Sequence, residues 1–168
     1  MSEILRAATG ADMARISALA RWVWLHSYAS EGVSDSYAGY VERALSADAL
    51  GESTGSHWLV ESTDGFLQAW AHVDPSAASP IAGVEPGVEL AQLYVAPPCQ
   101  GRGLGLRLLR QARELHPRRP LWLSAWEGNE GALRFYRREG ASLLGETWFE
   151  LDGQRHRNEV LGWEALQP

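Results

Sequence analysis

The segment Gln100-Gly101-Arg102-Gly103-Leu104-Gly105 holds the residues whose chemistry is easiest to name. Glycine at alternate positions lets the backbone take positive φ and bring bare N–H groups close to a ligand. The apolar run before it, Val88 to Val95, reads as a strand. The residues after it read as a helix with Leu104, Leu108, Leu109, Ala112 and Leu115 along one face. A turn between the two gathers unpaired backbone donors at the positive end of a helix dipole, which is a receptor for an anion, most often phosphate. A tight turn that simply needs small residues remains the alternative.

Three phosphate-binding patterns compete. A Walker turn needs G-x-x-x-x-G-K-[ST], and the chain contains no lysine, so that class is excluded. A dinucleotide fingerprint needs G-x-G-x-x-G and an acid about 20 residues on. Here Leu106 stands where the third glycine belongs, although Glu127 could serve as the ribose acid, and the motif comes late in the chain. The pattern [QR]-x-x-G-x-[GA] is met in full by Gln100, Gly103 and Gly105. Downstream, Asn129, Ala132, Phe135, Tyr136 and Gly140 fill N-x-x-A-x-x-F-Y-x-x-x-G, with Ala141 where phenylalanine is usual. On these two motifs the chain resembles the GNAT superfamily of acyl-CoA-dependent N-acetyltransferases. The lead-in Trp126-Glu127-Gly128-Asn129 and the closing hairpin are similar to its bacterial branch that includes polyamine acetyltransferases.

The resemblance implies a single mixed, mostly antiparallel sheet with a splayed central parallel strand pair, flanked by helices, and one acetyltransferase domain over residues 1–168. The splayed pair would be Val88 to Val95 and Leu121 to Trp126, with main-chain groups of Leu93, Tyr94 and Val95 pairing with the pantetheine arm like an added strand. Backbone of Gln100, Gly101, Arg102, Gly103, Leu104 and Gly105 would hold the pyrophosphate, and Asn129 and Tyr136 would complete the cofactor site. Arg102 and Arg107 are candidates for outer phosphates or for plain solvation. Cys99 lies outside the family pattern and reads as incidental. Acetyl-CoA is the implied co-substrate, without a metal.

Transfer to an amine poses two proton problems. An alkylammonium must lose a proton before it attacks, and the departing thiolate leaves more easily with one. The resemblance assigns the acid to Tyr136. A phenol of pKa about 10 gives its proton only uphill to a thiolate of about 8.5, so its help is hydrogen bonding and late transfer. Glu89, eleven positions before Gln100, has the offset of the glutamate base in the histone-acetylating branch and could act through one water, with ordered water alone as the alternative. The acceptor would meet the region from Trp22 to Asp48, where Trp22, Trp24, His26, Tyr28, Glu31, Asp35, Tyr37, Tyr40 and Glu42 offer aromatic faces and carboxylates to a cation, or serve as core. A small amine or polyamine is the first acceptor to expect, a peptide amine the second. A non-catalytic acyl-CoA sensor is the rival from another class, and a nicotinamide-binding fragment a third.

The elements that position these residues follow from periodicity. Residues 4–9 read as a strand, then Thr9 caps a helix with Met13, Ile16, Leu19, Ala20 and Val23 inward. A second helix begins at Ser34 or Asp35. Hairpins turn at Asp64-Gly65 and Asp152-Gly153, and Asp74 to Gly87 is an exposed loop. A helix stopped by Gly140 precedes the closing hairpin, whose exposed last strand could pair with a second copy in a homodimer.

Composition bounds the rest. A chain of 168 residues, 45% hydrophobic with eight tryptophans, suits one globular domain. The net charge of −6 argues against a general nucleic-acid binder and suits a cationic small molecule, or plain solubility. No apolar run approaches the roughly 18 residues of a membrane span and no secretory signal is visible, so a cytoplasmic protein is expected. One cysteine cannot form an internal disulfide, and the five histidines show no metal-ligand spacing.

Overall fold

The computed structural model describes residues 2–84 and 87–167. Strands β1 (Glu3–Ala7), β2 (Ser56–Ser62), β3 (Leu67–Asp74), β4 (Val88–Val95), β5 (Leu121–Trp126), β6 (Ser142–Leu151) and β7 (Gln154–Trp163) form one sheet in the order β1-β2-β3-β4-β5-β7-β6. Helices α1 (Met13–Tyr28), α2 (Asp35–Ala44), α3 (Ala47–Glu52), α4 (Leu104–Leu115) and α5 (Glu130–Arg138) complete a mixed α/β fold with β4 and β5 as its parallel pair. The chain packs as two compact units, Met1–His72 with Gln92–Arg110, and Val73–Ala91 with Gln111–Pro168.

In the first unit β1 pairs antiparallel with β2, from Glu3↔Ser62 to Ala7↔Trp58. The β2–β3 turn closes where Asp64-Gly65 predicts it: Gly65 N–H donates to Ser62 O at 2.9 Å and Ser62 N–H to Phe66 O at 2.9 Å. Thr9 begins the first helical segment, its N–H donating to Asp12 Oδ2 at 2.9 Å, but a 3-10 turn, Gly10–Asp12, delays α1 to Met13. Ile16, Leu19, Ala20 and Val23 are buried as their spacing requires, while Met13 is half-buried. Ser34 caps α2 by accepting from Tyr37 N–H at 3.2 Å. Helix α3 was not foreseen: six residues are too few to display a period, although Ser46 caps them through Ala49 N–H at 3.2 Å. Asp12, 4% exposed, accepts both Nη groups of Arg6 at 2.9 Å and also pairs with Arg15, which locks the start of α1 to β1.

In the second unit β5 lies antiparallel to β7 and β7 to β6. Asp152 and Gly153 take φ of 57° and 69°, the two positive values of a type I′ turn, whose twist suits a two-residue hairpin. Contrary to the expectation of an exposed last strand, β7 lies between β5 and β6, and β6 is the edge strand at that end of the sheet. Doubling back antiparallel to β6, the closing hairpin lays its second arm on β5, so the edge position belongs to its first arm. The loop between Asp74 and Val88 is present, with Glu85 and Pro86 outside the described residues. Helix α4 buries Leu104, Leu108, Leu109 and Ala112 on one face, with Leu115 half-buried.

Candidate active site

The end of β4 leads through Ala96 and a 3-10 turn at Pro97–Cys99 into the glycine segment. Ala96 N–H donates to Gln68 O at 2.9 Å and Cys99 N–H to Ala96 O at 2.8 Å, so the entry is fixed by main-chain bonds. Gln100 Nε2 donates back to Val95 O at 3.3 Å, tying the motif glutamine to the strand. Gly101 and Gly103 have φ of 75° and 80°, and a Cβ built on either meets nothing within 4 Å. The glycines are therefore required by backbone conformation, and the space beside them is open. Gly103 O accepts from Arg107 N–H at 3.1 Å, which makes Gly103 the N-cap of α4. The N–H groups of Leu104, Gly105 and Leu106 fall in the first turn, where no helical carbonyl precedes them. Leu93, Tyr94 and Val95 are half-buried, unlike the buried Val88 and Leu90 at the other end of β4.

Arg102 and Arg107 are not simply solvated. Both pair with Glu3 of β1, Arg102 through Nη2 to Oε1 and Arg107 through Nη1 to Oε2 at 3.3 Å. Glu3 is a functional candidate that sequence reasoning missed, because no periodicity links positions about a hundred residues apart. One carboxylate orders two guanidiniums beside the turn, leaving N–H donors on each for a further anion.

The second unit holds the remaining candidates. The β4–β5 ladder pairs Val88↔Leu121 and Glu89↔Trp122. Leu90 and Ala91 on β4, and Leu123 and Ser124 on β5, continue without a further parallel pair in this unit, and Ser124 is exposed although it lies within a strand. Glu89 is half-buried at the last pair. Asn129 Oδ1 accepts from Ala132 N–H at 3.2 Å, so its side-chain oxygen caps α5. At the other end Ala141 N–H donates to Tyr136 O and Gly140 N–H to Arg137 O, both at 3.0 Å, with Gly140 at φ 91°. This is a Schellman ending, and it explains the motif glycine while anchoring the Tyr136 main chain. The Tyr136 ring is buried edge-on to Phe135 and Trp163, with centroids 5.2 and 6.1 Å away. Trp163 Nε1 in turn donates to Glu139 O at 2.9 Å. Burial pushes the Tyr136 phenol well above its ordinary pKa, so it keeps its proton at neutral pH.

The aromatic residues assigned to acceptor binding divide. Trp24, 3% exposed, is core, stacked on Tyr28 and Tyr40 at 4.6 and 4.7 Å and edge-on to Tyr37 at 5.5 Å. Trp22 is 49% exposed and His26, Glu31 and Asp35 lie at the surface. Burial, with Tyr40 adding, pushes the Tyr28 phenol up to about 12. Glu42 pairs with Arg21 at 3.0 Å.

The chain is similar to known acetyltransferases. An uncharacterized N-acetyltransferase in the pepI 3'region of Lactobacillus delbrueckii subsp. lactis is 26% identical over 156 residues, covering 89% of this chain and 90% of that protein. The peptidyl-lysine N-acetyltransferase YiaC of Escherichia coli (strain K12) is 25% identical over 100 residues, 60% of this chain and 66% of that protein. The crystal structure of the PaiA N-acetyltransferase from Thermoplasma acidophilum in complex with coenzyme A superposes with a TM-score of 0.73 at 18% identity, covering 95% of this chain and 98% of that one, which shows a shared fold. The sequence model of the acetyltransferase (GNAT) family matches residues 17–141, from within α1 to the residue that closes the Schellman turn. With its glycine turn and its buried tyrosine inside that span, the chain belongs to the GNAT acetyltransferase family and is an acyl-CoA N-acyltransferase.

Proposed function

We propose that this chain acts as one acetyltransferase domain that moves the acetyl group of acetyl-CoA to the primary amine of a small molecule, by direct attack. The observation that carries the reading is the pair of positive-φ glycines at the N-cap of α4, with open space where their side chains would be. Backbone N–H groups from Gln100 to Gly105 hold the pyrophosphate, and Leu93, Tyr94 and Val95 offer main-chain groups to the pantetheine. The coenzyme A bound to the structurally similar PaiA enzyme supports the choice of cofactor.

The acceptor ammonium first gives a proton to Glu89 through one bridging water. The free amine attacks the thioester carbon, the C–S bond breaks, and the amine nitrogen loses its second proton to solvent, which returns a proton to the Tyr136 phenolate. Tyr136, a neutral phenol, hydrogen-bonds the leaving sulfur and yields its proton late, so CoA departs as a thiol. Asn129 caps the helix that presents Tyr136 about two turns later. The net charge of −6 favours a cationic acceptor such as a polyamine, acting in the reducing cytoplasm, where the lone Cys99 stays a thiol. Similarity to a peptidyl-lysine acetyltransferase favours a peptide amine as the second acceptor class.

The test is thiol release from acetyl-CoA, read with a thiol reagent across polyamines, amino acids, aminoglycosides and lysine-containing peptides. Amine-dependent release is expected, strongest with a small cation. Binding of acetyl-CoA without release for any amine would instead favour a sensor.

A further inference from the structure

In the first unit, β2, β3 and β4 carry His57, His72 and Gln92. The two imidazoles stack with centroids 4.4 Å apart and planes within 16°. The proton on His57 is assigned by its partners. Trp70 Nε1–H, which can only donate, donates to His57 Nδ1 at 3.2 Å. His57 Nε2 lies 3.1 Å from Ser53 Oγ, whose own proton goes to Leu50 O at 2.7 Å, so Nε2–H donates and the ring is neutral. A second proton would displace Trp70, in accord with a pKa that burial, and then His72, push down to about 4.

His72 is held differently. Its Nε2 lies 2.6 Å from Thr54 O, which can only accept, so Nε2 carries hydrogen in every state. Its Nδ1 faces the Gln92 side-chain amide, 2.9 Å from the atom Oε1. An imidazolium donates from Nδ1 to Oε1 and turns the Gln92 NH2 group away. A neutral ring offers a lone pair at Nδ1, which draws the NH2 group towards it and turns Oε1 away. The proton on Nδ1 and the orientation of the amide are one variable. His57 faces this group from β2, Thr54 from the segment after α3 and Gln92 from β4, with Trp70 beside it on β3 and Tyr94, edge-on to Trp70 at 5.6 Å, further along β4. None of these carries a charge at neutral pH.

Gln92 is half-buried and immediately precedes Leu93, where the cofactor arm was assigned. We propose that His72 is a positioning residue for the acceptor: neutral, it directs the Gln92 carbonyl outward to accept an N–H of the incoming amine, and protonated, it presents an NH2 group that an amine cannot use. This rests on the acetyl-transfer reading for its purpose, but not for its first test.

The first measurement needs no substrate. In the intact protein labelled with 15N in histidine and glutamine, side-chain resonances are followed between about pH 5 and pH 8, where imidazoles change charge. The Gln92 NH2 resonances are expected to move with the same midpoint as His72 Nδ1. A His72 titration that leaves Gln92 unmoved, or a His72 ring that keeps one state throughout, overturns the proposal while leaving acetyl transfer intact. With the amine found by thiol release, Gln92→Leu is expected to raise its KM about tenfold at neutral pH with little change in kcat or in acetyl-CoA affinity. Gln92→Glu, which keeps an oxygen outward, is expected to hold KM near the wild-type value. An unchanged KM in Gln92→Leu, or equal increases in both variants, overturns it.

Discussion

Replacing Gly103 with alanine separates the two demands made on that residue. Its φ of 80° is left-handed, and an L side chain there costs about 1–2 kcal/mol. Apart from its own chain neighbours, nothing lies within 4 Å of the added Cβ, so no tertiary clash adds to that cost. For a chain of this length the expected fall in Tm is a few degrees, at about 2–4 °C per kcal/mol. If the pyrophosphate packs against the bare Cα, the same methyl group meets the ligand instead, and affinity for acetyl-CoA should drop by at least about tenfold, or 1.4 kcal/mol. Gly65→Ala is the matched control, because Gly65 has φ of 83° and equally open space but lies in the β2–β3 hairpin. Melting curves and isothermal titration with acetyl-CoA on both variants decide the matter. Similar losses of stability with weakened binding only in Gly103→Ala are expected. Unchanged binding in a folded Gly103→Ala protein would remove the turn from the phosphate site.

The remaining predictions concern charge and the proton donor. Tyr136→Phe should keep acetyl-CoA affinity and lower turnover at least about tenfold, seen as a fall in kcat with little change in KM. Glu3→Gln removes the carboxylate shared by Arg102 and Arg107 and should tighten CoA binding about two- to fivefold at low salt, an effect that fades as salt screens it; a salt-independent change would point to altered packing. Asp12, whose carboxyl is held far below its usual range chiefly by Arg6 and then by Thr9 and Arg15, stabilises the fold above about pH 4, and that contribution is lost as pH falls below its unfolded value. Asp12→Asn should cost about 2 kcal/mol at neutral pH, less than a fully buried pair because Arg6 and Arg15 are a third exposed, and should flatten the acid limb of a urea-midpoint against pH plot. The folded-state pKa of His57 is also lowered, so its contribution is present above about pH 6.5 and is lost as pH falls towards about 4; His57→Asn should remove that part of the slope.

Local chemistry was legible wherever neighbours in sequence satisfy one another. The Ser34 cap, the inward face of α4, the I′ turn at Asp152-Gly153, the stop at Gly140 and the positive-φ glycines all answer to residues within one or two turns of themselves. Two such segments, Gln100 to Gly105 and Asn129 to Gly140, were enough to point to the family. Helix α3 escaped because its six residues show no period, and the edge strand was misplaced because strand order depends on which hairpin arm reaches β5.

The sequence by itself thus determined most of the secondary elements and the glycine turn between β4 and α4, because short-range sterics and hydrogen bonding decide each of them. Only the tertiary structure decided which distant groups share a charge or a proton. Glu3 meets Arg102 and Arg107 because β1 lies near the start of α4, and His57, His72 and Gln92 meet because three strands set them side by side. Such contacts follow from strand order and burial, which no spacing within one segment encodes. Burial likewise raises the Tyr136 phenol and lowers His57, since the cost of a buried charge depends on what the whole fold places around it.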